Sequence, residues 1–186
     1  MKNYIKKKLK SLLYFIELNL KLKTQSKNAI DKYYEKMAND CYEFFSKSME
    51  DASIFRQVDD IRNFSVYKAF NNGNEKNLFM EFGVWKGNSI NLFAKYLAKH
   101  KAEIYGFDSF EGLEEDWLTH EFFPKGSLSL QKKIPKVLKN VKLVEGKIQE
   151  TLVKFLEKNS DKKIIFAHMD MDTYESTKYA LEKIKP

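Results

Sequence analysis

The chain has 186 residues, 43% of them hydrophobic and 15% aromatic, with three Pro, seven Gly and one Cys, a composition that supports one domain with a buried core and excludes a collagen-like or disordered chain. A lone Cys41 excludes an internal disulfide and a Cys-rich zinc site, and suits a reducing, cytoplasmic compartment. The net charge of +7 sits wholly in residues 1–27, where eight Lys face Glu17 alone; the remainder is balanced, so the basic surface of a nucleic-acid binder is not expected on the domain.

The first element, Ile5 to Leu22, interleaves Ile5, Leu9, Leu12, Leu13, Ile16 and Leu20 with lysines at helical spacing and reads as a basic amphipathic helix. Its apolar run is broken by Glu17, far short of the ~20 residues that cross a bilayer. No small-residue cleavage site follows, as a signal peptide would need. Residues 1–27 are left with two readings. One is a helix packed on its own domain or on a second subunit, giving a homo-oligomer; the other is peripheral attachment to the inner membrane surface through Lys and Leu.

Residues 28–76 read as a helical extension, with helices expected over Asp31 to Met49 and Asp59 to Phe70 and a break at Asn71 to Asn74. From residue 77 the rhythm changes. Leu78 to Val84, Glu103 to Phe107, Val141 to Val144 and Ile164 to Met169 are short β-rich runs, separated by helical patterns such as Ile90 to His100 and Thr151 to Lys158. Strands alternating with helices predict an α/β fold, a parallel sheet with helices on both faces over residues 77–186. Ligands of such sheets sit at the carboxyl ends of the strands, which is where the unusual residues of this sequence fall.

The first strand runs into Glu81-Phe-Gly83-Val-Trp-Lys-Gly87-Asn-Ser89, the pattern E-x-G-x-x-x-G-x-S. Gly83 permits a tight turn and close approach of a ligand to the backbone. Gly87 and Ser89 open a helix whose free N–H groups favour an anionic group. The spacing is not G-x-G-x-x-G, which counts against nicotinamide cofactors. Asp108 ends the second strand with Ser109 beside it, where a carboxylate accepts both ribose hydroxyls or caps the following turn. Gly146 ends the third, leaving room for a flat ring. The fourth ends in His168-Met-Asp170-Met-Asp172-Thr-Tyr-Glu175. Strand alternation sets His168 and Asp170 on one side, and Asp172 with them if the extended chain continues. The two carboxylates suit Mg²⁺ or catalysis, or else cap the helix beginning near Ser176. His168 reads as a packed strand residue. The loop Glu111 to Phe123 reads as solvated and acidic with a small aromatic cluster; as an acceptor cover it offers Trp117 and His120.

Taken together, Glu81 to Ser89, Gly106 to Leu113 (G-F-D-S-F-E-G-L), Leu143 to Leu152 (L-V-E-G-K-I-Q-E-T-L) and His168 to Thr177 (H-M-D-M-D-T-Y-E-S-T) resemble the class I S-adenosylmethionine-dependent methyltransferases, and within them the macrocin O-methyltransferase-like sugar O-methyltransferases. The resemblance covers about residues 77–185. It implies a Rossmann-like methyltransferase fold in which Glu81, Gly83, Gly87 and Ser89 shape the methionine end of the cofactor site, Asp108 holds the ribose hydroxyls, Ser109 belongs to the same cofactor site, and Gly146 lies near the adenine. It also implies that Asp170 contacts the cofactor site and ligates an assisting Mg²⁺, that Asp172 is the general base, and that the partner is a small-molecule or glycan acceptor. Further strands, a Gly-rich turn and an Asp-Asp pair are implied beyond Pro186. The expectation is therefore a sheet incomplete at its C-terminal end, or completed by another chain, and weak binding and turnover by these 186 residues alone. The alternative is a non-catalytic binding or interaction module.

Overall fold

The computed structural model describes residues 28–119 and 121–185; the amphipathic arm expected over 1–27 and His120 lie outside the described residues. The chain divides into two compact units, Met1–Ile54 and Phe55–Pro186.

In the first unit, helix α1 (Ala29–Met49) starts at a capping box. Asn28 Oδ1 accepts from the Asp31 N–H at 2.9 Å, and Asp31 Oδ2 accepts from the Asn28 N–H at 3.0 Å, which satisfies two of the donors a helix start leaves free.

The second unit begins with α2 (Val58–Asn71) and continues through β1 (Leu78–Phe82), α3 (Asn88–Ala98), β2 (Ile104–Asp108), a two-stranded antiparallel ribbon of β3 (Trp117–Leu118) and β4 (Phe122–Phe123), β5 (Val141–Glu145), α4 (Ile148–Lys158), β6 (Ile164–Met169) and α5 (Tyr174–Ile184). Its main sheet has the order β5-β2-β1-β6, and every pairing is parallel. The four expected strands and the helices on both faces are present.

β1 is central, and all five of its residues are buried, as a strand covered on both faces requires. Alternation sends Phe79 and Glu81 to one face, in register with Phe166 and His168 of β6. There Phe79, Phe93, Leu97 and Phe166 form a core with Val66, beneath α2 and α3. Leu78, Met80 and Phe82 go to the other face and pack with Leu152 and Ala180 of α4 and α5. Each fully buried aromatic or aliphatic side chain contributes roughly 1.5–3 kcal/mol. Gly106 of β2 has a local reason to be glycine: a Cβ there would stand 2.4 Å from Ile90 Cδ1 and 2.7 Å from Val84 Cγ2, so its absence lets the start of α3 settle onto the strand.

The alternation of strand and helix fails once. The described residues of 109–140, between β2 and β5, hold the β3–β4 ribbon and no helix. Pro124 and Pro135 remove backbone donors, and Phe110, Leu128, Gln131 and Lys132 adopt positive φ, as do Gly112 and Gly126. The segment read as a solvated loop thus contains a short ribbon in which the rings of Trp117 and Phe123 lie tilted by 31° at 5.3 Å between centroids. No helix among the described residues is long and apolar enough to cross a membrane.

Candidate functional site

A cavity of about 430 Å³ opens at the carboxyl ends of β1, β2, β5 and β6, a size that accommodates a cofactor or drug-sized ligand. Gly83, Ser89, Asp108, Ser109, Gly146, Asp170 and Asp172 line it; Glu81 and Gly87 do not. Strand ends converge at one rim, which is why Gly83 and Asp172, 89 positions apart, meet there.

At the β1 end, the Gly83 N–H donates to Phe107 O at 2.9 Å and the Asp170 N–H donates to Phe82 O at 2.8 Å, so the turn is gripped from both neighbouring strands. Gly83 and Gly87 hold φ of +87° and +80°, left-handed values that glycine adopts without penalty. Gly87 serves as the N-cap of α3, and Asn88 and Ser89 of that helix's first turn face the cavity.

Glu81 lies elsewhere than expected. It is fully buried and withdrawn from the cavity. Ser89 Oγ donates to its Oε1 at 3.1 Å, and His168 Nδ1 stands 3.1 Å from its Oε2; the His168 ring in turn lies edge-on to Phe93 at 5.0 Å. His168 is thus the packed strand residue the sequence suggests, and Glu81 acts on the cavity through Ser89. Burial pushes the Glu81 carboxyl above its usual range, against the opposing pull of His168 and Ser89.

A stability prediction follows from this shift. An acid whose pKa is raised by folding contributes its full stability below its unfolded value of 4.5 and loses it as pH rises through the folded value. Glu81→Gln keeps an oxygen for Ser89 and offers an N–H to His168 while removing the charge. Urea unfolding should therefore show the variant gaining on the parent between pH 5 and pH 8. A constant difference over that interval, or a drift in the opposite direction, would show that the buried carboxylate carries no such penalty.

Asp108 is more heavily engaged than a free ribose ligand. Its Oδ2 accepts from the N–H groups of Val84 (2.8 Å) and Trp85 (2.7 Å), and its Oδ1 accepts from the Phe110 N–H at 2.7 Å. A carboxylate has about four acceptor sites, so the expectation that it takes both ribose hydroxyls is reduced to room for one further donor on Oδ1. Its main local work is to tie the β1 turn to the end of β2. Gly146, at φ +128°, donates its N–H to Asp108 O at 3.0 Å and keeps the floor between β2 and β5 low.

The β6 end departs from the extended course on which Asp172 was set beside Asp170. The strand stops at Met169, and the Thr173 N–H bonds back to Met171 O at 2.7 Å around Asp172, whose φ is +62°. This is a three-residue γ-turn of the rare positive-φ kind. The turn, not strand alternation, presents Asp172 to the cavity. Burial, and then the neighbouring Asp170 charge, push the Asp172 carboxyl above its ordinary range. Neither aspartate side chain accepts a hydrogen bond from another described residue.

One lining residue carries no signal in the strand-end motifs. Arg62, from α2, reaches the rim with its guanidinium 3.9 Å from Asp170 Oδ2 and 3.7 Å from Asp59 Oδ1. In the sequence it stands out only as one of two Arg among 33 basic residues, which does not place it at the rim.

Among solved structures, the chain is similar to CalS11, described as a calicheamicin methyltransferase, at 23% identity over 90% of this chain and 70% of that one, with a TM-score of 0.56. A second structure, the apo form of CalS11 described as a TDP-rhamnose 3′-O-methyltransferase, matches at 24% identity over 91% and 70% of the two chains, with a TM-score of 0.49. No curated protein matches. The sequence model of a family described as a methyltransferase domain matches residues 80–186, more than half the chain and the whole of the cavity floor. With this match and the Rossmann-like parallel sheet, the chain belongs to the methyltransferase-domain family.

Proposed function

We propose that this protein is an S-adenosylmethionine-dependent O-methyltransferase acting on a sugar hydroxyl of a small-molecule or glycan acceptor. The observation that carries the reading is the juxtaposition, on one cavity, of the Gly83 turn, the Asp108–Gly146 floor and the Asp172 carboxyl. The motifs from Glu81 to Thr177 that resemble sugar O-methyltransferases supply that same rim, and the similarity to CalS11 supports the fold.

The cavity residues fit an adenosine with an amino-acid tail. Gly146 leaves space beside β5 for a flat ring, Asp108 keeps one acceptor for a ribose hydroxyl, and Ser89 and Asn88 bring the first turn of α3 toward the tail. When bound, S-adenosylmethionine supplies a methyl group on a sulfonium. The protein has then to align a nucleophile and take up its proton. A sugar hydroxyl ionises far above neutral pH. Asp172, whose carboxyl is held above the usual range, is a stronger base than a solvated aspartate once it is deprotonated.

Magnesium fits less well. Asp170 and Asp172 offer two carboxylates, but no group of three or more His, Cys, Asp and Glu residues able to hold a metal occurs among the described residues. Arg62 already sets a positive charge near Asp170. These residues do not complete a magnesium site, and the proton transfer assigned to Asp172 stands without one.

Calorimetric titration with S-adenosylhomocysteine should give a Kd below about 100 μM, or about 5.5 kcal/mol of binding. Labelled methyl transfer to a panel of free and nucleotide-linked sugars should then identify an acceptor. Absence of cofactor binding by demonstrably folded protein would sink the proposal.

A further inference from the structure

We infer that Arg62 is the anchor for the carboxylate of the cofactor's amino-acid tail, working with Asp170 as a paired receptor for a zwitterion; the inference rests on the cofactor reading above and extends it to a residue outside the matched family region. Residues 80–186 match the family, whereas Arg62 belongs to α2, which precedes the sheet.

The placement follows from strand order. With the ring beside Gly146 on β5 and the ribose at Asp108 on β2, the tail of the same molecule runs over β1 toward β6, because the sheet order is β5-β2-β1-β6. Strands lie about 4.8 Å apart, so the β6 end is roughly 10 Å from the β2 end. Arg62 and Asp170 stand there, on the same cavity.

The chemistry of the pair matches a zwitterion. The guanidinium is largely enclosed, with its side chain 26% exposed, yet it donates no hydrogen bond to another described residue; its carboxylate neighbours are at 3.7 Å and 3.9 Å, beyond hydrogen-bond length. Five N–H donors in a planar fork are thus left for a ligand, and a carboxylate is the group that fork binds bidentately. Asp170, 48% exposed, supplies the complementary anion for an α-ammonium. An amino-acid tail presents those two charges on adjacent atoms. A closed Arg–Asp ion pair would be a fully self-satisfied structural contact, whereas the 3.9 Å gap leaves both partners able to bind outward. The use of Arg sharpens the point. The chain employs Lys at 31 of 33 basic positions, and a Lys ammonium here would lack the fork.

The test compares three ligands on the full chain by calorimetry: S-adenosylhomocysteine, its decarboxylated analogue, which keeps the amine, and 5′-methylthioadenosine, which lacks both groups. Arg62→Gln should weaken S-adenosylhomocysteine roughly 10- to 100-fold, in the range of a charged hydrogen-bonded contact, and leave the other two ligands within about twofold. Arg62→Lys should recover only part of the loss. Equal weakening of all three ligands would mean that Arg62 merely supports the fold, and no weakening of any would mean that it does not touch the tail; either result overturns the inference alone. Failure of the parent protein to bind all three would remove the cofactor reading and this inference with it.

Discussion

Asp172→Asn should lower turnover by about 10²- to 10⁴-fold, the range over which a positioned general base contributes, while S-adenosylhomocysteine affinity stays within about threefold. Asn is the informative replacement because the backbone at this position has φ +62°, a conformation in which Asn and Asp are tolerated better than other side chains. The variant therefore keeps the turn closed by the Thr173 N–H and Met171 O, and removes only the basic oxygen. Asp172 accepts no side-chain hydrogen bond from another described residue, and burial with Asp170 close by makes its charge costly. A proton from an attacking hydroxyl relieves the cost. Turnover within fivefold of the parent, measured as initial rates of labelled methyl transfer at saturating cofactor, would remove Asp172 from the proton transfer and leave it a turn residue.

The strain at this turn fits the same assignment. A non-glycine residue in a positive-φ γ-turn costs on the order of 1–3 kcal/mol. What the turn achieves is to halt β6 at Met169 and swing two successive carboxylates, Asp170 and Asp172, onto the rim of one cavity. Met171, between them, lines the cavity and also packs against the layer of Leu78, Met80 and Phe82.

Sequence periodicity reported the sheet well because β1 and its neighbours are short apolar runs bounded by Gly and Asp, and burial on both faces leaves little else for Leu78 to Phe82 to be. It reported the rim for the same reason: strand ends are where the chain must turn, and glycine and aspartate mark turns. It could not report who bonds to whom. Glu81 sits two residues before Gly83 whether it faces a ligand or, as found, a buried Ser89 and His168. Asp108 ends β2 whether its oxygens meet a ribose or three backbone N–H groups. Arg62 was illegible because it arrives from a helix that buries only Val66 and lies 21 residues before the first rim residue, Gly83. The turn at Asp172 was missed because Asp carries only a weak preference for positive φ.

Gly83→Ala should destabilise the second unit by about 3 kcal/mol or more, whereas Gly87→Ala should cost about 1 kcal/mol. Both glycines hold left-handed φ, +87° and +80°, so both substitutions carry the same conformational penalty of about 1–2 kcal/mol. They differ in what the new methyl meets. At Gly87 its nearest neighbour is Val137 Cγ1 at 3.4 Å, an ordinary contact. At Gly83 it would stand 2.0 Å from Asp170 O and 2.7 Å from Asp170 C, which are backbone atoms of the adjacent strand end. A side chain can rotate away from such a clash; this backbone cannot without breaking the Asp170 N–H bond to Phe82 O that joins β6 to β1. For a chain of this size each kcal/mol lowers Tm by roughly 2–4 °C, so thermal unfolding should place Gly83→Ala about 6–12 °C below the parent and Gly87→Ala within a few degrees of it. Equal losses would mean that the β1 turn does not press against β6 as closely as these distances require, and that the cavity's rim is looser than the one on which Asp170 and Asp172 are positioned.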